Sequence, residues 1–123
     1  MEALAQIEIH SRDGVVLARV AGEIDISNVA EARRLLTEGV PSSALGLVVD
    51  LSNATYLDSS GVHLLFGLAA TLQKRRQQLC VVAPEAAPAS RVLFLTGFDM
   101  VVPTSAGLAE AIAQVRAAPS SAP

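Results

Sequence analysis

The segment YLDSSGVHLLF, Tyr56 to Phe66, sets one carboxylate and two hydroxyls between a very apolar run and a longer apolar segment. Three chemistries suit those residue types. Asp58 can cap a helix by accepting hydrogen bonds from first-turn amides. Ser59 or Ser60 can serve as a nucleophile, given a base and a group that orients it. Either hydroxyl can also accept a phosphoryl group from another enzyme.

The nucleophile reading lacks most of its parts. His63 follows Ser59 by four residues, a spacing at which helix side chains meet. No clear orienting group or oxyanion site accompanies the pair, and no GxSxG elbow is present. His10, His63 and Cys80 do not make a metal cluster. There is no GxxxxGKS/T phosphate loop, and GVVLARVAGEID lacks the close glycine triplet of a dinucleotide site. The expectation is a chain with no catalytic residue, no metal and no cofactor.

With Asp58 as N-cap, Ser59 and Ser60 take the first two helical positions. A projection at roughly 100° per residue gathers Val62, Leu64, Leu65, Phe66, Leu68, Ala69 and Leu72 on one broad side. Ser59, Ser60, His63, Gly67, Thr71, Lys74 and Gln77 fall on the other. Both serines therefore face outward, and helical geometry does not choose between them. Free amides and the helix dipole favour a negative group at such a place. A phosphate there would add close to two charges beside Asp58.

The rest of the chain must position that helix. Its 123 residues suit one domain that buries roughly two-thirds of its unfolded surface. Aromatic residues are 3% of the chain, so the core must be aliphatic. A net charge of -3 and a pI near 5.2 leave no basic face for nucleic acid. No run reaches the ~18 apolar residues of a membrane span, so membrane insertion is not expected. MEALAQIEIH lacks the features of a signal peptide. One cysteine, Cys80, permits no intrachain disulfide, fits a reducing cytoplasm, and reads as core filling.

QIEIH and VVLARVAGEI read as strands joined by an Asp-Gly turn. Asn28 and Glu31 form a potential capping box for a helix reaching Thr37. ALGLVVDLS is a continuous apolar strand, expected to be covered on both faces, and NATY links it to the serine helix, which runs to about Gln77. QLCVVAP is another strand, RVLFLTG a helix ended by Gly97, and MVV a short strand or extended segment. Ser105 could start the last helix, AGLAEAIAQVRAA, and APSSAP, residues 118–123, reads as a disordered tail. This order predicts an α/β fold: one domain, a mixed four- to five-stranded sheet and about four helices.

Three segments carry a resemblance. ARVAGEIDISNVAE contains Gly22-Glu23-Ile24-Asp25, and VVDLSNATYLDSSGVHLL contains the serine helix. FLTGFDMVVPTSAGLAEAI, residues 94–112, is the third. In this order and spacing they resemble bacterial anti-sigma factor antagonists of the STAS domain family. The resemblance implies a STAS-like domain over residues 1–117, with helices mainly on one side of the sheet. It also implies a cytoplasmic partner switch in transcription regulation that is not an enzyme. The unphosphorylated form would bind an anti-sigma factor, a serine kinase of GHKL type, and so free a sigma factor. Phosphorylation would weaken that complex, and a PP2C-type phosphatase would restore it. Carried over by motif, the phosphorylated residue is Ser59, with Asp25, Asp58, Ser60, Gly61, Val62 and His63 at or near the partner surface. Gly22 would be structural. Ile24 stands where leucine is usual, and His63 adds an imidazole to the patch. The same domain also serves in relatives as a non-enzymatic subunit of lipid-transport or stress-sensing complexes.

Overall fold

The chain opens with a hairpin whose turn dictates its geometry. Asp13 and Gly14 both take left-handed backbone angles, φ 55° and 82°. That pair matches the twist of two antiparallel strands. It joins β1 (Ala5–Arg12) to β2 (Val15–Ile24) in the register Arg12↔Val15 through Ala5↔Gly22. A computed structural model describes residues 5–117, so the tail assigned to 118–123 lies outside the described residues.

After the hairpin come α1 (Val29–Glu38), β3 (Gly46–Leu57), α2 (Ser59–Lys74), β4 (Gln78–Val82) and α3 (Pro88–Leu95). A short 3-10 turn (Phe98–Met100), β5 (Thr104–Ser105) and α4 (Leu108–Ala117) complete the described residues. The sheet order is β1-β2-β3-β4-β5, antiparallel at β1-β2 and parallel elsewhere. The mixed five-stranded sheet and four α-helices agree with the α/β architecture expected from the sequence.

Alternation along the strands builds two cores. Val16, Ala18, Leu47, Val49 and Val81 join buried residues of α1, α2 and α3. Val15, Leu17, Val48, Cys80 and Val82 point the other way, onto Ala111, Ile112 and Val115 of α4. The central strand is thus covered on both faces, by three helices on one side and one on the other. Burial pushes the Cys80 thiol up to about 11, which keeps it protonated as core filling.

Several boundaries differ from the sequence reading for physical reasons. NATY is not a link: β3 continues through it, paired with β2 as far as Ile24↔Leu57. Its weak apolar pattern reflects lost cover, because β4 flanks β3 only from Gly46 to Asp50. The serine helix stops at Lys74, and Arg76 turns left-handed with φ 60°. Gln77, placed on the outward strip by its helical spacing, is buried and donates from Nε2 to Pro41 O and Ala44 O at 2.8 and 3.1 Å. MVV is not a strand; the fifth strand is Thr104–Ser105. Ser105 belongs to it, and its Oγ accepts from Gly107 N just ahead of α4.

Two glycines give opposite expectations. A Cβ on Gly46 would overlap the backbone oxygen of Gln78 in the paired strand and lie 2.8 Å from the buried Val115 Cγ1. Gly46→Ala should therefore destabilise by about 1–3 kcal/mol. Gly67 sits on the exposed side of α2 with open space around it. Gly67→Ala should stabilise by about 0.5–1 kcal/mol. Urea unfolding of both variants checks the pair of signs.

Candidate functional site

Parallel pairing sets the site. The register Ile24↔Leu57 ends β2 and β3 side by side, and Asp58 N donates to Ile24 O at 3.4 Å. The chain leaves β2 through Asp25 and leaves β3 through Asp58, so both carboxylates stand on one rim of the sheet.

Asp58 is extended, with φ -98° and ψ -172°. From there its Oδ1 accepts from Ser60 N at 2.9 Å and Gly61 N at 3.2 Å. The side-chain cap expected of Asp58 is present. Two of the amides expected to welcome a phosphate are therefore already occupied. Ser59 is exposed on this first turn, whereas Ser60 is half-buried. The structure separates the two hydroxyls where the helical projection did not.

Gly61 and Val62 turn inward. A Cβ on Gly61 would overlap Leu57 Cδ1 and lie 3.1 Å from Leu57 Cγ and 3.3 Å from Ile24 Cγ2. Only a residue without a side chain lets the first turn of α2 settle onto the ends of β2 and β3. Val62 is part of the core with Ile24 and Leu57. His63 is exposed one turn beyond Ser59. Asp25, Asp58, Ser59, Ser60 and His63 therefore present side chains at or near this rim, while Gly61 and Val62 shape it from beneath.

On the β2 side, residues 25–28 form a hydrogen-bonded turn. Asp25 Oδ1 accepts from Ser27 N at 2.9 Å and Ser27 Oγ at 2.6 Å. Those bonds, the hydroxyl's first, hold the Asp25 carboxyl below its ordinary range. Asn28 Oδ1 accepts from Asp25 N at 3.1 Å, and its Nδ2 donates to Glu23 O at 2.8 Å. Asn28 is thus committed to the turn and does not cap α1 with its side chain. Glu31 pairs with Arg34 at 2.6 Å, so the expected capping box does not form.

Two exposed apolar residues on this rim escaped the sequence reading. Ile26 is 79% exposed in the turn after β2, and Tyr56 is 50% exposed near the end of β3, opposite Glu23 in the sheet. The Asp-x-Ser spacing of Asp25 and Ser27 was a usable signal for the turn. Neither exposure is written in the residue types. Residues 20–32 and 46–73 contain no lysine or arginine, so this rim is acidic and apolar. Among the described residues no three His, Cys, Asp or Glu side chains gather to hold a metal, and no helix is long and apolar enough to cross a membrane.

Two measurements check this geometry. Asp58→Ala should cost about 0.5–2 kcal/mol in urea unfolding, and Asp58→Asn far less, because asparagine also caps. The Asp25 carboxyl should titrate below the usual aspartate value by NMR, and Ser27→Ala should move it back up. A depressed folded-state pKa means that Asp25 contributes stability above its unfolded pKa, lost as pH falls through the folded value. Ser27→Ala should shrink that acid-side loss.

The STAS domain family model matches residues 6–111. An anti-sigma F factor antagonist of Paenibacillus polymyxa is 27% identical over 101 residues, covering 80% of this chain and 84% of that protein. An anti-sigma-B factor antagonist of Staphylococcus aureus is 29% identical over 76 residues, 62% of this chain and 70% of its own length. The crystal structure of an anti-sigma factor antagonist from Mycobacterium paratuberculosis superposes with a TM-score of 0.82 at 31% identity, over 91% of this chain and 94% of that one. With the match spanning the hairpin, the serine helix and the start of α4, this chain belongs to the STAS domain family.

Proposed function

We propose that this chain is an anti-sigma factor antagonist whose binding is switched at Ser59. The observation that carries the reading is the exposure of Ser59 on a capped first turn, on the same rim as Asp25. The family match and the antagonists similar to this chain support the same reading. In this reading the unphosphorylated rim binds an anti-sigma factor that is itself a serine kinase of GHKL type, and the sigma factor is released. Asp25, Asp58, Ser60 and His63 meet the partner, with Gly61 and Val62 holding the turn in shape.

The kinase supplies nucleotide, magnesium and a base. Ser59 Oγ attacks the γ-phosphorus of ATP, the bond to the β-phosphate oxygen breaks, ADP leaves, and the serine proton passes to the kinase's base. This chain contributes only the acceptor and its position. A phosphate on Ser59 brings close to two charges into a contact already flanked by Asp58 and Asp25. Its oxygens also compete with Asp58 for the Ser60 and Gly61 amides. A packed interface must then accommodate extra bulk and desolvate extra charge, so the complex weakens. A PP2C-type phosphatase hydrolyses the ester and resets the chain in the cytoplasm.

The test uses the purified chain, ATP with magnesium, and each GHKL-type serine kinase of the source cell in turn. One kinase should add the mass of one phosphate, located on Ser59 by fragmentation and abolished in Ser59→Ala. Phosphate on Ser60 with Ser59 untouched contradicts the residue assignment. Failure of every such kinase to bind or modify the chain contradicts the function.

A further inference from the structure

The switch residue marks where phosphate arrives, but a lone serine supplies little affinity. The rim beside it carries a better candidate. Ile26 leaves 79% of its surface in water, although a β-branched aliphatic side chain gains by burial. It is not on a loose loop. The backbone around it is fixed by Ser27 N and Oγ on Asp25 Oδ1, Asp25 N on Asn28 Oδ1, Asn28 N on Asp25 O, and Asn28 Nδ2 on Glu23 O. The turn is tied to the serine helix by the Asp58 N to Ile24 O bond.

We infer that Ile26 is the apolar anchor of the partner interface, seated in a hydrophobic socket of the anti-sigma factor kinase whose edge carries basic side chains. The inference rests on the function proposed above and adds the residue that supplies affinity. Three features point to that occupant. A β-branched side chain, stiff at χ1 and carried on a hydrogen-bonded turn, loses little entropy on docking. Tyr56, half exposed near the end of β3, adds a second exposed apolar group at this end of the sheet. Glu23 and Asp25 lie within three residues of Ile26, Asp58 follows Tyr56 by two, and no lysine or arginine lies in residues 20–32 or 46–73 to neutralise them. A partner that buries Ile26 must bring positive groups to meet those carboxylates.

A second exposed apolar cluster, Phe94, Leu95, Met100 and Val101, lies around the C-terminal end of α3 and the 3-10 turn, and serves as the internal control. The experiment measures binding of the unphosphorylated chain to the kinase that modifies it, by biolayer interferometry. Ile26→Ser should weaken binding about 10- to 100-fold with an unchanged Tm, because the side chain is mostly in water already. Ile26→Leu should stay within about threefold of wild type, and Phe94→Ser should bind as wild type does. The association rate should fall as sodium chloride is raised. Equal binding by Ile26→Ser overturns the anchor, as does a loss confined to Phe94→Ser. A salt-independent association rate overturns the basic edge. If the wild-type chain binds no such kinase, the proposed function itself fails, a result distinct from tight wild-type binding that Ile26→Ser leaves intact.

Discussion

The parallel pairing of β2 with β3 is the constraint on which the rest of the site depends. Residues that lie more than thirty positions apart, Asp25 and Asp58, become neighbours only because Ile24 stands opposite Leu57. A slip of one residue would reverse the faces of the strand and bury its polar set. The alternation that feeds two cores, one under α1, α2 and α3 and one under α4, makes such a slip costly. The functional rim is thus fixed by hydrophobic packing some distance away from it.

On that base the DSSG motif divides its labour. Asp58 satisfies two first-turn amides, and Gly61 lets the same turn rest against Leu57 and Ile24. Ser60 is half-buried, and Ser59 is left exposed. In the proposed reading, a modification at Ser59 acts on the capped first turn beside Asp58. There, added charge meets an existing carboxylate and amides that are already bonded. In that reading a local covalent event alters the contact surface without any need for the fold to rearrange.

Much of this was legible in the residues because it is local chemistry. Capping by Asp58 needs only a carboxylate next to a helix start, and the Asp13-Gly14 hairpin needs only two residues that tolerate positive φ. What failed was non-local. Asn28 has one side chain and two possible employers, and the turn that closes onto Glu23 and Asp25 took it from α1. Gln77 looked like one more polar residue on a helix strip. Its partners, the carbonyls of Pro41 and Ala44, lie in a loop more than thirty residues earlier. The extent of β3 was hidden because a strand that outruns its neighbour loses the burial that writes an apolar pattern. Nothing in its residue type marks Ile26 as exposed, and only the folded turn leaves it in water.

The central claim is that one phosphate on Ser59 sets whether this rim is bound. The most direct measurement is calorimetric titration of the kinase partner with two preparations of the chain, unmodified and fully phosphorylated on Ser59. The account predicts at least tenfold weaker binding by the phosphorylated chain, about 1.4 kcal/mol, with affinity restored after phosphatase treatment. Equal affinity of the two preparations would contradict it.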